Sequence, residues 1–214
     1  MIPIQKNSGP RSLQEYAANG YYYDEHTSFT DIKQEIREHL CEEQGYICCY
    51  CMRRINPDAR SMQIAHIENQ ADHRDLDCQY SNMLGSCSCG ETCNQKQKEH
   101  DLKYSPEDDS HSILDFILFE TDGTIKSTDP EFDIELEQIL NLNSASQYLK
   151  QNRAEIYKRV KNELKKTLSF NEKKAKAHRL LEFWKTRTDG KLREYCGVAI
   201  WYLEKQIQKW DSAR

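Results

Sequence analysis

The sequence predicts an α+β protein in which a cysteine-rich strand–strand–helix core lies between an N-terminal arm with a helix and a helical C-terminal domain. Paired cysteines with short β-like segments between them occupy the middle of the first half. Beyond Glu131, apolar residues recur at helical spacing to the end of the chain. The 37% of hydrophobic residues is enough for a core, and 30% of charged residues predicts a largely polar surface.

Residues 1–45 are predicted to form an arm followed by a helix. Pro3 and Gly9-Pro10 interrupt any periodicity, and Tyr21-Tyr22-Tyr23 suggests an extended arm that lies on the rest of the protein. After Thr30, the residues Ile32, Ile36 and Leu40 recur every four positions, and Gly45 follows the last turn. This pattern predicts a capped amphipathic helix that leads directly into the cysteines.

Residues 46–103 are predicted to form the core unit. Tyr46–Cys51 resembles a zinc knuckle, Ser61–Ile67 a strand and Tyr80–Ser86 its partner strand. The polar segment Glu91–Asp101 contains no proline or glycine and is suited to a short helix. The predicted order is therefore strand, strand, helix.

Residues 104–140 are predicted to contain a hairpin, and residues 141–214 a basic helical domain. The turn signal Thr121-Asp122-Gly123 separates Ile113–Glu120 from Thr124–Lys126. Periodic apolar residues then predict helices over three segments: Tyr148–Leu168, Glu172–Lys185 and Tyr195–Trp210.

Most of the nine cysteines lie between Cys48 and Cys93. No apolar run is long enough to cross a membrane and the N-terminus lacks a signal-peptide pattern, so we expect a cytoplasmic protein with reduced thiols. A C-x-x-C pair at Cys48 and Cys51 and a second pair at Cys87 and Cys93 then predict a closed structural zinc site. Cys89 competes with Cys87 for the third position, and unligated buried cysteines are the alternative for the whole cluster.

Charge divides the chain. Residues 1–140 hold 12 basic and 27 acidic residues, a net charge of −15, whereas residues 141–214 hold 18 and 8, a net charge of +10. The basic part is suited to a polyanion or to packing on the acidic part, and the acidic part is suited to a protein partner. Solvated helix faces are the alternative explanation for both.

Between and after the cysteine pairs lie one histidine and two asparagines in a recognisable order. The segments that carry the pattern are Cys48-x-x-Cys51, Ala65-His66, Tyr80-Ser81-Asn82, Ser86-Cys87 and Cys93-Asn94. Together they resemble the HNH endonuclease motif with its stabilising cysteines. More narrowly, the chain resembles the PtuB family, the nuclease subunit of Septu-type and retron-encoded anti-phage defence systems. Further segments share the downstream pattern of that family: Tyr104–Asp108, Asp122–Ile125, Leu140–Asn143 with Arg153, and Cys196–Leu203.

The resemblance implies a ββα-metal fold and a metal-dependent nuclease that cuts nucleic acid in anti-phage defence. His66 would be the general base, Asn82 would hold the loop that positions it, and Asn94 would bind a catalytic divalent ion, expected to be Mg²⁺. The implied partners are a PtuA-type ATPase and, in retron systems, a reverse transcriptase with its RNA-linked DNA. DNA is the favoured substrate, and tRNA remains an alternative.

One position departs from the family pattern. Many HNH motifs have an acidic residue or histidine before the catalytic histidine as a metal ligand, and this chain has Ala65. The ion would then have fewer protein ligands, or would use other side chains nearby: Glu68, Asp72, His73 or His100. The departure supports the competing hypothesis of a non-catalytic zinc module that binds nucleic acid or an ATPase.

Several lysines could contact the phosphates of a nucleic acid. Lys96 and Lys98 belong to the predicted core helix, and Lys165, Lys166, Lys173 and Lys174 to the basic C-terminal helices. Solvated surface positions are the alternative for each of them.

Overall fold

The computed structural model describes residues 1–165 and 169–212 of the chain. It has a mixed α+β architecture with two small antiparallel hairpins and a helical C-terminal part. Among the described residues, no helix is long and apolar enough to cross a membrane.

The N-terminal segment contains two helices, of which the sequence predicted one. Helix α1 spans Arg11–Ala18 and was missed, because its two buried residues, Leu13 and Tyr16, offer too short a periodic signal. Helix α2 spans Phe29–Gln44. The cap predicted at Thr30 is wrong, because Thr30 lies inside the helix and the N-cap is Ser28, whose side chain makes no capping hydrogen bond. The helix ends as predicted at Gly45, whose positive φ of 65° closes the last turn.

The core hairpin pairs β1 (Met62–His66) with β2 (Met83–Cys87). The register places Met62 opposite Cys87 and His66 opposite Met83. The segment before β2 was predicted as strand from Tyr80, but Tyr80–Asn82 forms a 3₁₀ turn. Helix α3 (Asn94–Gln97) is one turn long and much shorter than the predicted helix. The order strand, strand, helix is nevertheless the predicted one.

The second hairpin and the C-terminal helices follow. Helix α4 (Ile113–Phe116) leads into β3 (Ile117–Phe119), which pairs with β4 (Ile125–Ser127) across the predicted turn. Helix α5 (Pro130–Ile134) continues as a π-helical turn over Glu135–Ile139.

Three longer helices complete the chain, namely α6 (Leu149–Lys165), α7 (Phe170–Lys185) and α8 (Cys196–Ser212). Residues 166–168 of the predicted helix Tyr148–Leu168 lie outside the described residues. Helix α7 begins two residues earlier than predicted, because the Ser169 hydroxyl and the Glu172 carboxylate form a capping box.

The buried apolar side chains form one cluster that runs from Met1 in the arm to Ile207 in α8. Helix α8 packs on α7, α6 and β3, so the C-terminal helices cover the second hairpin. The buried guanidinium of Arg153 donates to the carbonyl oxygens of Gly123 and Leu142, which fastens α6 to that hairpin. The predicted domain boundaries stay predictions.

Candidate active site and metal centre

A tight turn and the loop between β2 and α3 bring four cysteines together. In the first, the Met52 N–H donates to the Cys48 carbonyl at 3.0 Å and the Cys48 N–H donates to the Arg53 carbonyl at 2.8 Å. The second cysteine pair comes from the end of β2 and the residue before α3, where the Cys93 N–H donates to the Leu140 carbonyl at 2.9 Å. Cys48, Cys51, Cys87 and Cys93 are all buried, and their sulfurs lie within 4.8 Å of one another.

The sulfur geometry of this cluster fits a tetrahedral zinc ion. The Sγ–Sγ distances are 3.8 Å for Cys48–Cys93, 3.6 Å for Cys51–Cys87 and 3.7 Å for Cys87–Cys93. Four sulfurs that each lie about 2.3 Å from a central ion are about 3.8 Å apart at the corners of a tetrahedron. A disulfide would need about 2.05 Å. The cluster can therefore hold a structural zinc ion.

The structure also favours Cys87 over Cys89 as the third member of the cluster. The Cys87 sulfur belongs to the cluster, whereas the Cys89 sulfur lies 3.0 Å from Nη1 of Arg53. Burial, followed by the neighbouring sulfurs of Cys48 and Cys51, raises the pKa of the Cys93 thiol well above its ordinary value. The buried thiolate of Cys93 is therefore disfavoured without a counter-charge, and a bound cation would stabilise it.

His66 ends β1, and one of its ring nitrogens is fixed by the backbone. Its Nε2 atom lies 3.0 Å from the carbonyl oxygen of Asp77. Because a carbonyl oxygen can only accept, Nε2 carries the hydrogen and Nδ1 keeps its lone pair. Burial lowers the pKa of His66, against the opposing effect of Asp77, so the neutral imidazole is favoured near neutral pH. The ring is therefore oriented as a proton acceptor.

Asn82 closes the loop between the two core strands. Its Oδ1 accepts from the Glu68 N–H at 2.8 Å, and its Nδ2 donates to the carbonyl oxygens of Glu68 and Leu76, both at 3.2 Å. The Ile67 N–H also donates to the Asn82 carbonyl at 3.0 Å. Asn82 thus joins the start of the loop, just after His66, to its end.

Asn94 faces the same cleft as His66. The cleft has a volume of about 200 Å³, and its lining also includes Ile64, Asn69, Gln70, Ala71, Lys98 and Glu99. Asn94 is the first residue of α3; its N–H donates to Ser86 Oγ at 3.3 Å, and its Nδ2 donates to Gln63 Oε1 at 3.3 Å. Cys93, a residue of the sulfur cluster, therefore sets the position of Asn94 in the cleft.

The amino-acid sequence was compared with known proteins. No family model matches the chain. It is 31% identical over 141 residues to a protein of Vibrio cholerae serotype O1 biovar El Tor named "Retron Vc95 putative HNH endonuclease". The chain is a distant homologue of that protein. The match covers 58% of this chain and 65% of the relative, so the chain spans slightly less than two thirds of the relative it matches.

Ala65 contributes no side-chain metal ligand, because a methyl group has no donor atom. It is also buried, whereas Ile64 and His66 line the cleft. Of the substitutes that the sequence suggested, Glu68 and His73 come together, with 3.4 Å between the Glu68 carboxylate and His73 Nε2. Asp101, which the sequence did not suggest, completes a group whose ligand atoms lie within 4.8 Å of one another. The Asp101 carboxylate accepts from Asn69, a residue that lines the cleft.

The predicted phosphate-contacting lysines fall in different surroundings. Lys98 lines the cleft and Lys96 is exposed on α3. Lys165 lines a separate groove of about 280 Å³ with Lys158 and Lys161. On α7, Lys173 is half-buried and Lys174 is paired with Asp211. Lys166 lies outside the described residues.

Sequence reasoning missed two residues beside His66. Asp77 supplies the carbonyl that binds the imidazole, and the ring of Tyr23 lies 4.8 Å from it, centroid to centroid. A backbone carbonyl leaves no trace in residue identity, and Tyr23 is 43 positions before His66 with no motif that links them. Only the aromatic patch Tyr21-Tyr22-Tyr23 drew attention to the arm.

Proposed function

We propose that this protein is a metal-dependent HNH endonuclease that hydrolyses phosphodiester bonds of nucleic acid. The observation that carries the proposal is the shared cleft of His66 and Asn94, with Nε2 of His66 fixed by the Asp77 carbonyl. The homologue named as a retron HNH endonuclease supports the same reaction class.

His66 acts as the general base in this proposal. Its unprotonated Nδ1 takes a proton from the water that attacks the phosphorus, and the Asp77 carbonyl stabilises the ring as it becomes positively charged. Asn82 keeps the base in place through the loop that follows β1. Lys98, at the edge of the cleft, is placed to attract a substrate phosphate.

A catalytic divalent ion, proposed to be Mg²⁺, fits the oxygen donors of this cleft. Asn94 is the proposed ligand through its amide oxygen, and Mg²⁺ keeps several of its waters, so it needs few ligands from the protein. When bound, the ion supplies charge neutralisation on the phosphate oxygens and the leaving oxygen. The Cys48, Cys51, Cys87 and Cys93 cluster has the separate role of holding α3 and β2 together around structural zinc.

We place this nuclease in anti-phage defence under the control of a PtuA-type ATPase, with a reverse transcriptase and RNA-linked DNA as further partners. The retron name of the homologue supports this context. A water nucleophile does not need a 2′-hydroxyl, so the proposal covers DNA, which we favour, and tRNA as the alternative. Helix α6, through Lys165, would contact the phosphate backbone of either substrate.

The experiment that tests the proposal is induced expression of the wild type, His66→Ala and His178→Ala with the neighbouring ATPase and a phage trigger. His178 is exposed on α7 and serves as the matched histidine control. We expect wild type and His178→Ala to degrade total DNA or small RNA, and His66→Ala to leave both pools intact with unchanged zinc content. Degradation that persists in His66→Ala would contradict the proposal.

The same experiment addresses the competing function, a non-catalytic zinc adaptor. The buried methyl group of Ala65 favours that function, since it removes one ligand from the metal site. An adaptor would leave both pools intact with the wild type in the assembled and triggered complex. His66→Ala would then retain any ATPase binding that the wild type shows.

A further inference from the structure

The N-terminal arm reaches the proposed catalytic histidine. The ring of Tyr23 lies 4.8 Å from the His66 imidazole, centroid to centroid, at an interplanar angle of 89°. This is an edge-to-face contact, which favours one orientation of two aromatic rings over others. Among the aromatic contacts of the arm, it is the one that touches the proposed base.

A second contact joins Tyr23 to the other partner of His66. The Tyr23 N–H donates to a carboxylate oxygen of Asp77 at 3.2 Å, and the carbonyl oxygen of the same Asp77 binds His66 Nε2. Asp77 is buried. One arm residue therefore contacts the imidazole directly and also holds the residue that orients it.

The Tyr23 ring has two further contacts, both with residues of α2. Phe29, the first residue of α2, packs edge-to-face on it at 4.7 Å, and the Lys33 ammonium lies 5.2 Å from its centroid. Lys33 is also ion-paired with Asp24, the next residue of the arm. The position of the arm is thereby coupled to α2, which also packs on both core strands.

We propose that Tyr23 is a positioning residue that holds the His66 ring with Nδ1 available to the cleft. Loss of the Tyr23 ring would leave one hydrogen bond at Nε2 as the main restraint on the imidazole, which could then flip or tilt. This inference rests on the proposed nuclease function, because it gives His66 the role of base. Its structural part can be tested without any cleavage.

The test compares Tyr23→Phe, Tyr23→Leu and Tyr23→Ala, with Tyr21→Ala as the matched control. Tyr21 is a neighbouring arm tyrosine whose ring packs on Tyr16 and His26. Tyr23→Leu retains apolar packing against Phe29 but removes the aromatic edge, so it separates positioning from simple loss of packing. Zinc content and circular dichroism establish that each variant is folded.

Two readouts are measured on the full-length protein. The first is the pair of ¹⁵N shifts of the His66 ring, which report the tautomer: we expect hydrogen on Nε2 in wild type, Tyr23→Phe and Tyr21→Ala, and averaged shifts in Tyr23→Leu and Tyr23→Ala. The second is cleavage by the assembled complex, in which Tyr23→Leu and Tyr23→Ala should lower kcat about 10- to 100-fold with little change in KM. Tyr23→Phe should retain wild-type kcat.

Each outcome decides the inference. Wild-type shifts and kcat in folded Tyr23→Leu and Tyr23→Ala would overturn it, and so would a Tyr23→Phe variant as damaged as Tyr23→Leu, since that would make the hydroxyl the important group. If the wild type cleaves nothing, the proposed nuclease function fails while the ring shifts still decide whether Tyr23 holds the imidazole.

Discussion

The sulfur cluster and the His66 cleft are neighbours in the sequence, since Cys93 of the cluster is followed by Asn94 of the cleft. They differ in burial and in the contacts that fix their side chains. In the cluster, Cys48, Cys51, Cys87 and Cys93 are at most 1% exposed and offer four identical donors. In the cleft, His66 and Asn94 are partly exposed and their partners are of several kinds, including a backbone carbonyl and a glutamine amide. The cluster is closed on itself, whereas the cleft is open to a substrate.

The two regions are nevertheless joined through single residues. Cys93 directly precedes Asn94. The hydroxyl of Ser86 also links the two regions, because its Oγ lies 3.8 Å from the Cys48 sulfur and accepts from the Asn94 N–H. The buried zinc cluster stabilises the fold, whereas the side chains of the open cleft depend on hydrogen bonds from the surrounding residues. The comparison predicts that damage to the cluster unfolds the core and that damage to the cleft leaves a folded but impaired protein.

The largest effect should come from Cys87→Ser. Structural zinc contributes about 10–16 kcal/mol of apparent binding free energy in zinc-finger peptides, and a domain has a net stability of only about 5–15 kcal/mol. We therefore expect Cys87→Ser to lose zinc and the cooperative unfolding transition, measured by metal content and circular dichroism. Cys89→Ser is the matched control and should retain zinc, because its sulfur contacts Arg53. Zinc loss from Cys89→Ser alone would make Cys89 the ligand.

An intermediate effect is expected for Asn82→Ala, which tests the support of the cleft. The substitution removes the acceptor for the Glu68 N–H and the donor to the carbonyls of Glu68 and Leu76. A buried backbone group left without a partner costs about 1–3 kcal/mol. Because the three bonds are only partly buried and water can replace some of them, we expect a loss of about 2–4 kcal/mol in the free energy of unfolding, with zinc still bound. Urea unfolding measures this loss, with Asn162→Ala, at an exposed position of α6, as the control. A loss equal to that of the control would show that the loop does not depend on Asn82.

The sulfur cluster was predictable from sequence because each of its two cysteine pairs is marked by the short spacing of its own members. C-x-x-C spacing aims two sulfurs at one ion, and the choice between Cys87 and Cys89 was the one point that spacing could not decide. Gly45 marked the end of α2 for a similar reason: a left-handed residue after an amphipathic run closes a helix wherever it occurs. The capping box of Ser169 and Glu172 was an equally local signal that could have given the start of α7.

The cleft was only partly predictable because it depends on contacts between distant segments. His66, Asn82 and Asn94 were picked out by resemblance, but the Asp77 carbonyl and the Tyr23 ring have no sequence signature. The helix predicted over Glu91–Asp101 shrank to Asn94–Gln97, since Lys98 has a positive φ of 54° that ends it. The group of Glu68, His73 and Asp101 likewise required the loop and the segment after α3 to meet.

A smaller effect is expected for the affinity of the cleft for a divalent ion. We expect Asn94→Ala to weaken Mn²⁺ binding, used as a probe for Mg²⁺, by about tenfold or more, and Asn94→Asp to strengthen it because a carboxylate adds charge. Asp101→Asn should leave the affinity within about twofold, because none of Glu68, His73 and Asp101 lines the cleft with Asn94. Electron paramagnetic resonance titration of the zinc-loaded protein measures all three. The reverse order of effects would assign the ion to the group of Glu68, His73 and Asp101.

The smallest effect is expected from the pH dependence of stability, and it tests the surroundings of His66 without any nuclease assay. Burial lowers the pKa of His66 in the folded protein, so the unfolded chain binds its proton more readily. The contribution of the neutral imidazole is therefore complete above the unfolded pKa of about 6.5 and is lost as the pH falls towards the lowered folded value, at no more than about 1.4 kcal/mol per pH unit. Urea unfolding between pH 7.5 and 5 should show a shallower decline for His66→Gln than for wild type, with His178→Gln as the control. Parallel curves for wild type and His66→Gln would mean that the imidazole is as solvated as in the unfolded chain, and the contrast between a closed cluster and a cleft with a desolvated base would then fail.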